Sequence, residues 1–143
     1  MMDIFVQNDE ADLLDLKETS NSFNDLTQAG TLRPQKSVMK VSIITVTLNS
    51  ARYLADCIRS VQGQHYKNIE HIVIDGKSTD GTLGIIKKYE SGISKWISET
   101  DKGMYDAINK GIKMATGDIV GILNSDDVLD NDHVILNIVK EFL

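Results

Sequence analysis

Two adjacent carboxylates, Asp126 and Asp127, follow an apolar run in the string Asn124-Ser125-Asp126-Asp127. Like charges placed together repel unless water or a cation is close. Mg2+ commonly takes one or two carboxylates plus substrate phosphates, and Mn2+ suits the same oxygens. The same residue types also suit a turn capped by Ser125-Asp126, with Asp127 solvated. A second string, DGKSTDGT from Asp75 to Thr82, puts a carboxylate at a strand end, then a glycine, then the helix-opening residues Thr79 and Asp80. Asp75 there could accept a hydrogen bond from a base ring N–H, and the helix start nearby suits an anion. On these residues alone, a plain strand-to-helix loop rich in turn formers is the preferred reading. The third string, ETDKGMYDAINKG, runs from Glu99 to Gly111. In it Lys102 could neutralise a phosphate, and Asp101 or Asp106 could hold a hydroxyl, although charges near helix starts are usually solvated.

The remaining reactive residues carry weaker signals. Met104, Ile108 and Ile112 recur at helical spacing and read as core. Gly111 inside that helix costs ~1 kcal/mol against alanine, which implies close packing or close approach of a ligand. His65, His71 and His133 have no metal-ligand spacing, Cys57 lies on an apolar helical face, and Trp96 reads as core. Neither a GxxxxGK[ST] phosphate loop nor a GxGxxG dinucleotide string occurs.

These strings need elements to hold them. Val41–Thr47 (VSIITVT) is a β-branched run, the mark of a strand buried on both faces. Asn49 or Ser50 can cap a helix through Gln62, with Tyr53, Leu54, Cys57, Ile58 and Val61 on one face. Ile69–Asp75 is a second strand. A helix capped by Thr79 or Asp80 should reach about Tyr89. Lys95–Glu99 is a short third strand, and Met104–Ala115 a helix stopped by a left-handed Gly117. Asp118–Leu123 is a fourth strand, and Asp130 or Asn131 caps a last helix. This alternation predicts an α/β fold, a Rossmann-like parallel sheet with helices on both faces. Ligands of such sheets bind beyond the carboxyl ends of the strands, and three of the four strand ends carry the polar strings above.

The chain has 143 residues, 15.9 kDa and a net charge of −6. That length suits one domain, and the acidic balance argues against a general nucleic-acid binder. One cysteine excludes a disulfide framework. Without an apolar run of ~20 residues or a secretory leader, the expected location is cytoplasmic, or peripheral to the inner face of a membrane. Residues 1–40, with the lone Pro34 and a polar stretch from Thr19 to Gly30, read as a flexible extension outside the sheet, in which Ala11–Lys17 could form a short helix. Residues 41–143 read as the folded body.

Taken in order, VSIITVTLN, ADCIRSVQGQHYKNIEHIVIDGKSTDGT and SETDKGMYDAINKGIKMATGDIVGILNSDD resemble glycosyltransferase family 2, nucleotide-sugar-dependent enzymes of the GT-A fold. The likeness covers about residues 39–143 and is nearest to a subgroup found in bacterial surface-polysaccharide assembly. It implies that Asp75 accepts from the nucleobase, most often uracil, with Thr47 and Asn49 lining the same pocket. It implies that Asp126 and Asp127 stand for the DXD-type motif, holding Mg2+ or Mn2+ against the diphosphate, with Asp101 and Lys102 near the donor. The expected partners are a UDP-sugar and, in the full enzyme, a saccharide or lipid-linked acceptor. Val46 and Leu48 replace the family's usual proline and aromatic, and Asn124 stands where many members have an acid. The likeness ends at Leu143, before the half that supplies the acceptor site and the catalytic base. A non-catalytic nucleotide-binding fragment is the alternative, and apolar surface left uncovered would favour self-association.

Overall fold

The computed structural model describes residues 2–6 and 38–143. The expected helix Ala11–Lys17, and the rest of the extension from 7 to 37, lie outside the described residues. Five strands form one sheet: β1 (Asp3–Val6), β2 (Val41–Thr47), β3 (Ile69–Asp75), β4 (Lys95–Ser98) and β5 (Ile119–Ile122). Among the described residues four α-helices accompany them: α1 (Leu54–Gln62), α2 (Thr82–Lys88), α3 (Met104–Met114) and α4 (Val134–Phe142). The strand order is β1-β5-β2-β3-β4. The four strands expected from the sequence are parallel, with Val41 to Thr47 of β2 in register with Ile69 to Asp75 of β3.

The first strand corrects the expectation that residues 1–40 stand outside the sheet. Asp3–Val6 pairs antiparallel with β5, Asp3 opposite Ile122 and Val6 opposite Ile119. The reason is the sheet's own edge. A parallel strand with one unpaired side presents free N–H and C=O groups, and the short apolar run DIFV satisfies them. Antiparallel edge strands on otherwise parallel sheets are common.

Every residue of β2 is buried, as its β-branched composition requires. Its alternation divides the core. Val41 and Ile43 pack with Cys57 and Val61 of α1 and Ile135 and Val139 of α4. Leu54 and Ile58 of α1 pack with Val73 of β3 and Ile86 of α2. Ile44, Val46, Ile72 and Ile74 pack with Ala107 of α3, with Ile108 and Ile112 partly buried against them. One helix therefore covers one face and three cover the other. Gly111 brings α3 down onto β2: a Cβ there would lie 2.4 Å from Ile44 Cγ2. Gly117 is not the left-handed stop expected of it, since α3 ends at Met114 with Ala115 extended. Its role is close approach, because a Cβ would meet the Ser42 nitrogen at 2.7 Å. No helix among the described residues is long and apolar enough to cross a membrane.

Below the sheet's carboxyl end, one buried carboxylate ties three elements. Glu70 of β3 accepts from Ser42 Oγ at 2.6 Å and from the Thr116 nitrogen at 2.8 Å, and pairs with Lys95 Nζ at 2.9 Å. Burial pushes its pKa up, but the bonds from Ser42, Lys95 and Thr116 together pull it down to about 2.

Candidate functional site

The chain runs outward from β2 to β3 to β4, then returns to the other side of β2 as β5. The connections after β2 and β5 therefore leave in opposite directions and open a crevice at the carboxyl ends. A cleft of about 500 Å³ lies there. Thr47, Asn49, Asp101 and Asp126 line it together, with Leu48, Tyr53, Met104 and Ser125 among their neighbours. Four of the seven residues expected at a site thus converge.

The loops that carry these groups are stapled to one another. Asn49, at φ 49°, takes the left-handed conformation that asparagine tolerates. Its backbone N–H donates to Ser78 Oγ at 2.8 Å, and its side-chain oxygen accepts from the Thr79 nitrogen at 2.9 Å. The Ser50 nitrogen donates to Thr82 Oγ1 at 2.9 Å, and Ser125 Oγ donates to Ser50 Oγ at 2.9 Å. Asp80 accepts from both the nitrogen and the hydroxyl of Thr82, which hold its pKa below the usual carboxylate value. This stapling explains why α1 begins at Leu54 rather than after Asn49 or Ser50. The side chains read as caps are spent on the neighbouring loops.

Thr47 is 5% exposed, and its hydroxyl has no hydrogen-bond partner. An unpaired buried hydroxyl is costly, and the residue that carries it borders the cleft. Asp75 sits opposite Thr47 in the register of β2 and β3 but does not itself line the cleft. It has no exposed surface, and its carboxylate accepts from the Ser78 nitrogen at 3.1 Å and from Ser98 Oγ at 2.6 Å. The fold buries it beneath the loop and does not bring it into the cleft. The carboxylate that reaches the cleft from that side is Asp101, whose Oδ1 accepts from the Gly103 nitrogen at 2.9 Å. Its Oδ2 would lie 2.8 Å from a Cβ at position 76, so Gly76 leaves the space that Asp101 occupies. Lys102 is exposed and does not line the cleft; its backbone N–H donates to Asp106 at 2.9 Å.

Asp126 is exposed at the cleft, and Asp127 is half-buried, its N–H donating to the Asn124 carbonyl at 3.0 Å. Their charge reaches inward. The thiol of Cys57 is pushed up to about 11, first by burial and then by Asp127 and Asp126. Cys57 is fully buried, as its place on an apolar helical face predicts. Two all-oxygen donors in a shared negative field fit a hard divalent cation such as Mg2+ or Mn2+.

Met104, expected in the core, and Tyr53, expected on the apolar face of α1, both open onto the cleft. Met104 is 53% and Tyr53 46% exposed, and both line the opening. Helical spacing gives the face a residue occupies, but not whether another element covers that end of the helix. Tyr53 supplies an aromatic surface beside Leu48, with the Arg52 guanidinium 5.4 Å from its ring centre.

The Glycosyl transferase family 2 profile matches residues 42–143. An uncharacterized glycosyltransferase of Mycobacterium tuberculosis is 40% identical over 105 residues, covering 73% of this chain and 40% of the relative. A PGL/p-HBAD biosynthesis glycosyltransferase of Mycobacterium bovis is 38% identical over 91 residues, covering 62% and 36%. The crystal structure of Staphylococcus aureus TarS 1-349 with UDP-GlcNAc matches with a TM-score of 0.65 at 29% identity, over 71% of this chain and 30% of that one. The mannosyltransferase PcManGT of Pyrobaculum calidifontis, solved with GDP-Man and Mn2+, matches with a TM-score of 0.66 at 25% identity, over 76% and 35%. The chain thus spans about 40% of the length of the first of these relatives. From the profile match and the shared GT-A architecture, the chain belongs to glycosyl transferase family 2.

Proposed function

We propose that the chain binds a nucleoside diphosphate sugar, with UDP-sugars foremost, as the donor part of a glycosyltransferase that acts in bacterial surface-polysaccharide or glycolipid assembly. The observation that carries this is the convergence of Thr47, Asn49, Asp101 and Asp126 around one cleft at the sheet's switch point. In the reaction, an acceptor hydroxyl oxygen attacks the anomeric carbon while the bond to the diphosphate oxygen breaks, which inverts that carbon. The acceptor's proton goes to a carboxylate base.

Within this reading, Asp126 and Asp127 hold the divalent ion, which when bound stabilises the charge growing on the departing diphosphate. Thr47 and Asp101 offer one donor and one acceptor to the nucleoside. Asn49 fixes the two loops that flank it. Asp75 acts as a positioning residue: it ties the β3 end to Ser78 and Ser98 and so keeps the Asn49–Ser78 contact in place. Lys102, exposed beside the opening of α3, is free to swing toward phosphate. UDP-GlcNAc in TarS and GDP-Man with Mn2+ in PcManGT support the donor class and the kind of ion.

Calorimetry of UDP against the chain, with and without Mn2+, tests this. Binding should depend on the metal for most of its strength, and Asp127→Ala should remove the metal's contribution while sparing the metal-free affinity. Binding indifferent to metal would sink the assignment. The chain spans only part of its relatives, which favours a second reading in which these 143 residues bind the donor without transferring sugar. Robust transfer by the isolated chain would overturn that reading.

A further inference from the structure

The connection after α1 and the start of α4 meet at the surface, and none of the residues concerned lines the cleft. Their backbones are fixed against each other. The His65 nitrogen donates to the Asp132 carbonyl at 2.8 Å. The side chain of Gln64, 1% exposed, donates to the Asn131 carbonyl at 2.6 Å and accepts from the Ile135 nitrogen at 3.1 Å. On this frame His65 Nε2 lies 3.3 Å from Asp132 Oδ2, and His133 Nδ1 lies 2.5 Å from Asp132 Oδ1. The two imidazoles stand edge to face, 4.4 Å between centres. One ligand atom from each of the three residues falls within 4.8 Å of the others.

We infer that His65, Asp132 and His133 form a second metal site, for Zn2+ or another ion that favours imidazole, which pins the start of α4 to the α1–β3 connection. Ligand atoms ~2.0 Å from a tetrahedral ion stand ~3.3 Å apart, so small side-chain rotations suffice to close this set. Two nitrogens and one carboxylate suit zinc, whereas all-oxygen sets suit Mg2+ and Mn2+. Three protein ligands leave a fourth position to water. Sequence spacing could not disclose the site, because His65 and the Asp132-His133 pair are joined only by the fold. The inference is independent of the reading of the cleft.

Zinc titration of the 143-residue chain carrying Asp126→Asn and Asp127→Asn tests it with the cleft's carboxylates removed. Calorimetry should still detect Zn2+ binding, and Co2+ should give the visible absorption of a tetrahedral site. His65→Ala and His133→Ala should each weaken Zn2+ more than ~10-fold, the scale on which even outer ligand partners act. Zn2+ should also raise Tm in the parent and not in these variants. All three side chains are at least half exposed, so the variants should keep the parent's circular dichroism, with His65→Gln as a second replacement. Zinc binding absent from the Asp126→Asn/Asp127→Asn chain, or unchanged in both histidine variants, would overturn the inference and leave a carboxylate paired with two imidazoles.

Discussion

The Thr47 hydroxyl separates stability from function more cleanly than any other group in the cleft. It is buried and unpaired, so replacing it by a methyl removes a desolvated polar atom without opening a void. Thr47→Val should leave the unfolding free energy within about 1 kcal/mol of the parent, or raise it. It should weaken UDP several-fold, read by calorimetry, if the hydroxyl is a ligand contact. Equal affinity would return Thr47 to a purely structural role. His71 and Glu70 give the acid behaviour. Burial holds His71 at about 4, below the usual 6.5, so between those values the unfolded chain takes up a proton that the native chain refuses. Glu70, held at about 2 against 4.5, does the same lower down. Stability should therefore fall as pH drops through 6.5 to 4, and fall further toward 2. His71→Gln should flatten the first part and Glu70→Gln the second, measured as urea midpoints across pH.

At the scale of elements, α3 is set by its contact with β2. A methyl at Gly111 would gain ~1 kcal/mol of helix propensity. Its Cβ, however, would sit 2.4 Å from Ile44 Cγ2 in a fully buried layer. Gly111→Ala should destabilise by about 1–3 kcal/mol. Combined with Ile44→Ala, which deletes the opposing methyl, it should cost less than the two single changes added. Additive costs in denaturant unfolding would mean that the helix simply shifts. The strands β2 and β3 were legible because continuous β-branched burial fixes both ends, and their observed bounds match the expected ones. Helix starts were less legible, since Asn49, Ser50 and Asp80 serve the contacts between loops. The burial of Asp75 follows from its register opposite Thr47 and its bond to Ser98. Neither is encoded near Asp75 in sequence, and the expected contact to a base rested on the family resemblance rather than on residue type. Asp101 carried too weak a local signal to be preferred, because the space it fills is set by Gly76 on another loop.

For the whole molecule, β1 has the longest reach, because its partner β5 lies more than a hundred residues along the chain. Four residues with an acidic start gave no periodic signal, which is why residues 1–40 were expected to stand outside the sheet. The pairing is also what keeps the edge of the strand leading to Asp126 out of solvent. A chain beginning at Met39 should expose that edge, beside a cleft rim where Leu48, Tyr53 and Met104 already leave apolar surface in solvent. Sedimentation should then show stronger concentration-dependent association than for the intact chain; unchanged behaviour would mean that β1 is dispensable. Because β1 pairs antiparallel through backbone bonds, its attachment to the rest of the chain is not needed for recognition. The hexapeptide MMDIFV, added in trans, should act as a detachable cover strip: it should bind the shortened chain, suppress its association, and make the opening segment of this protein a transferable affinity tag for its own body.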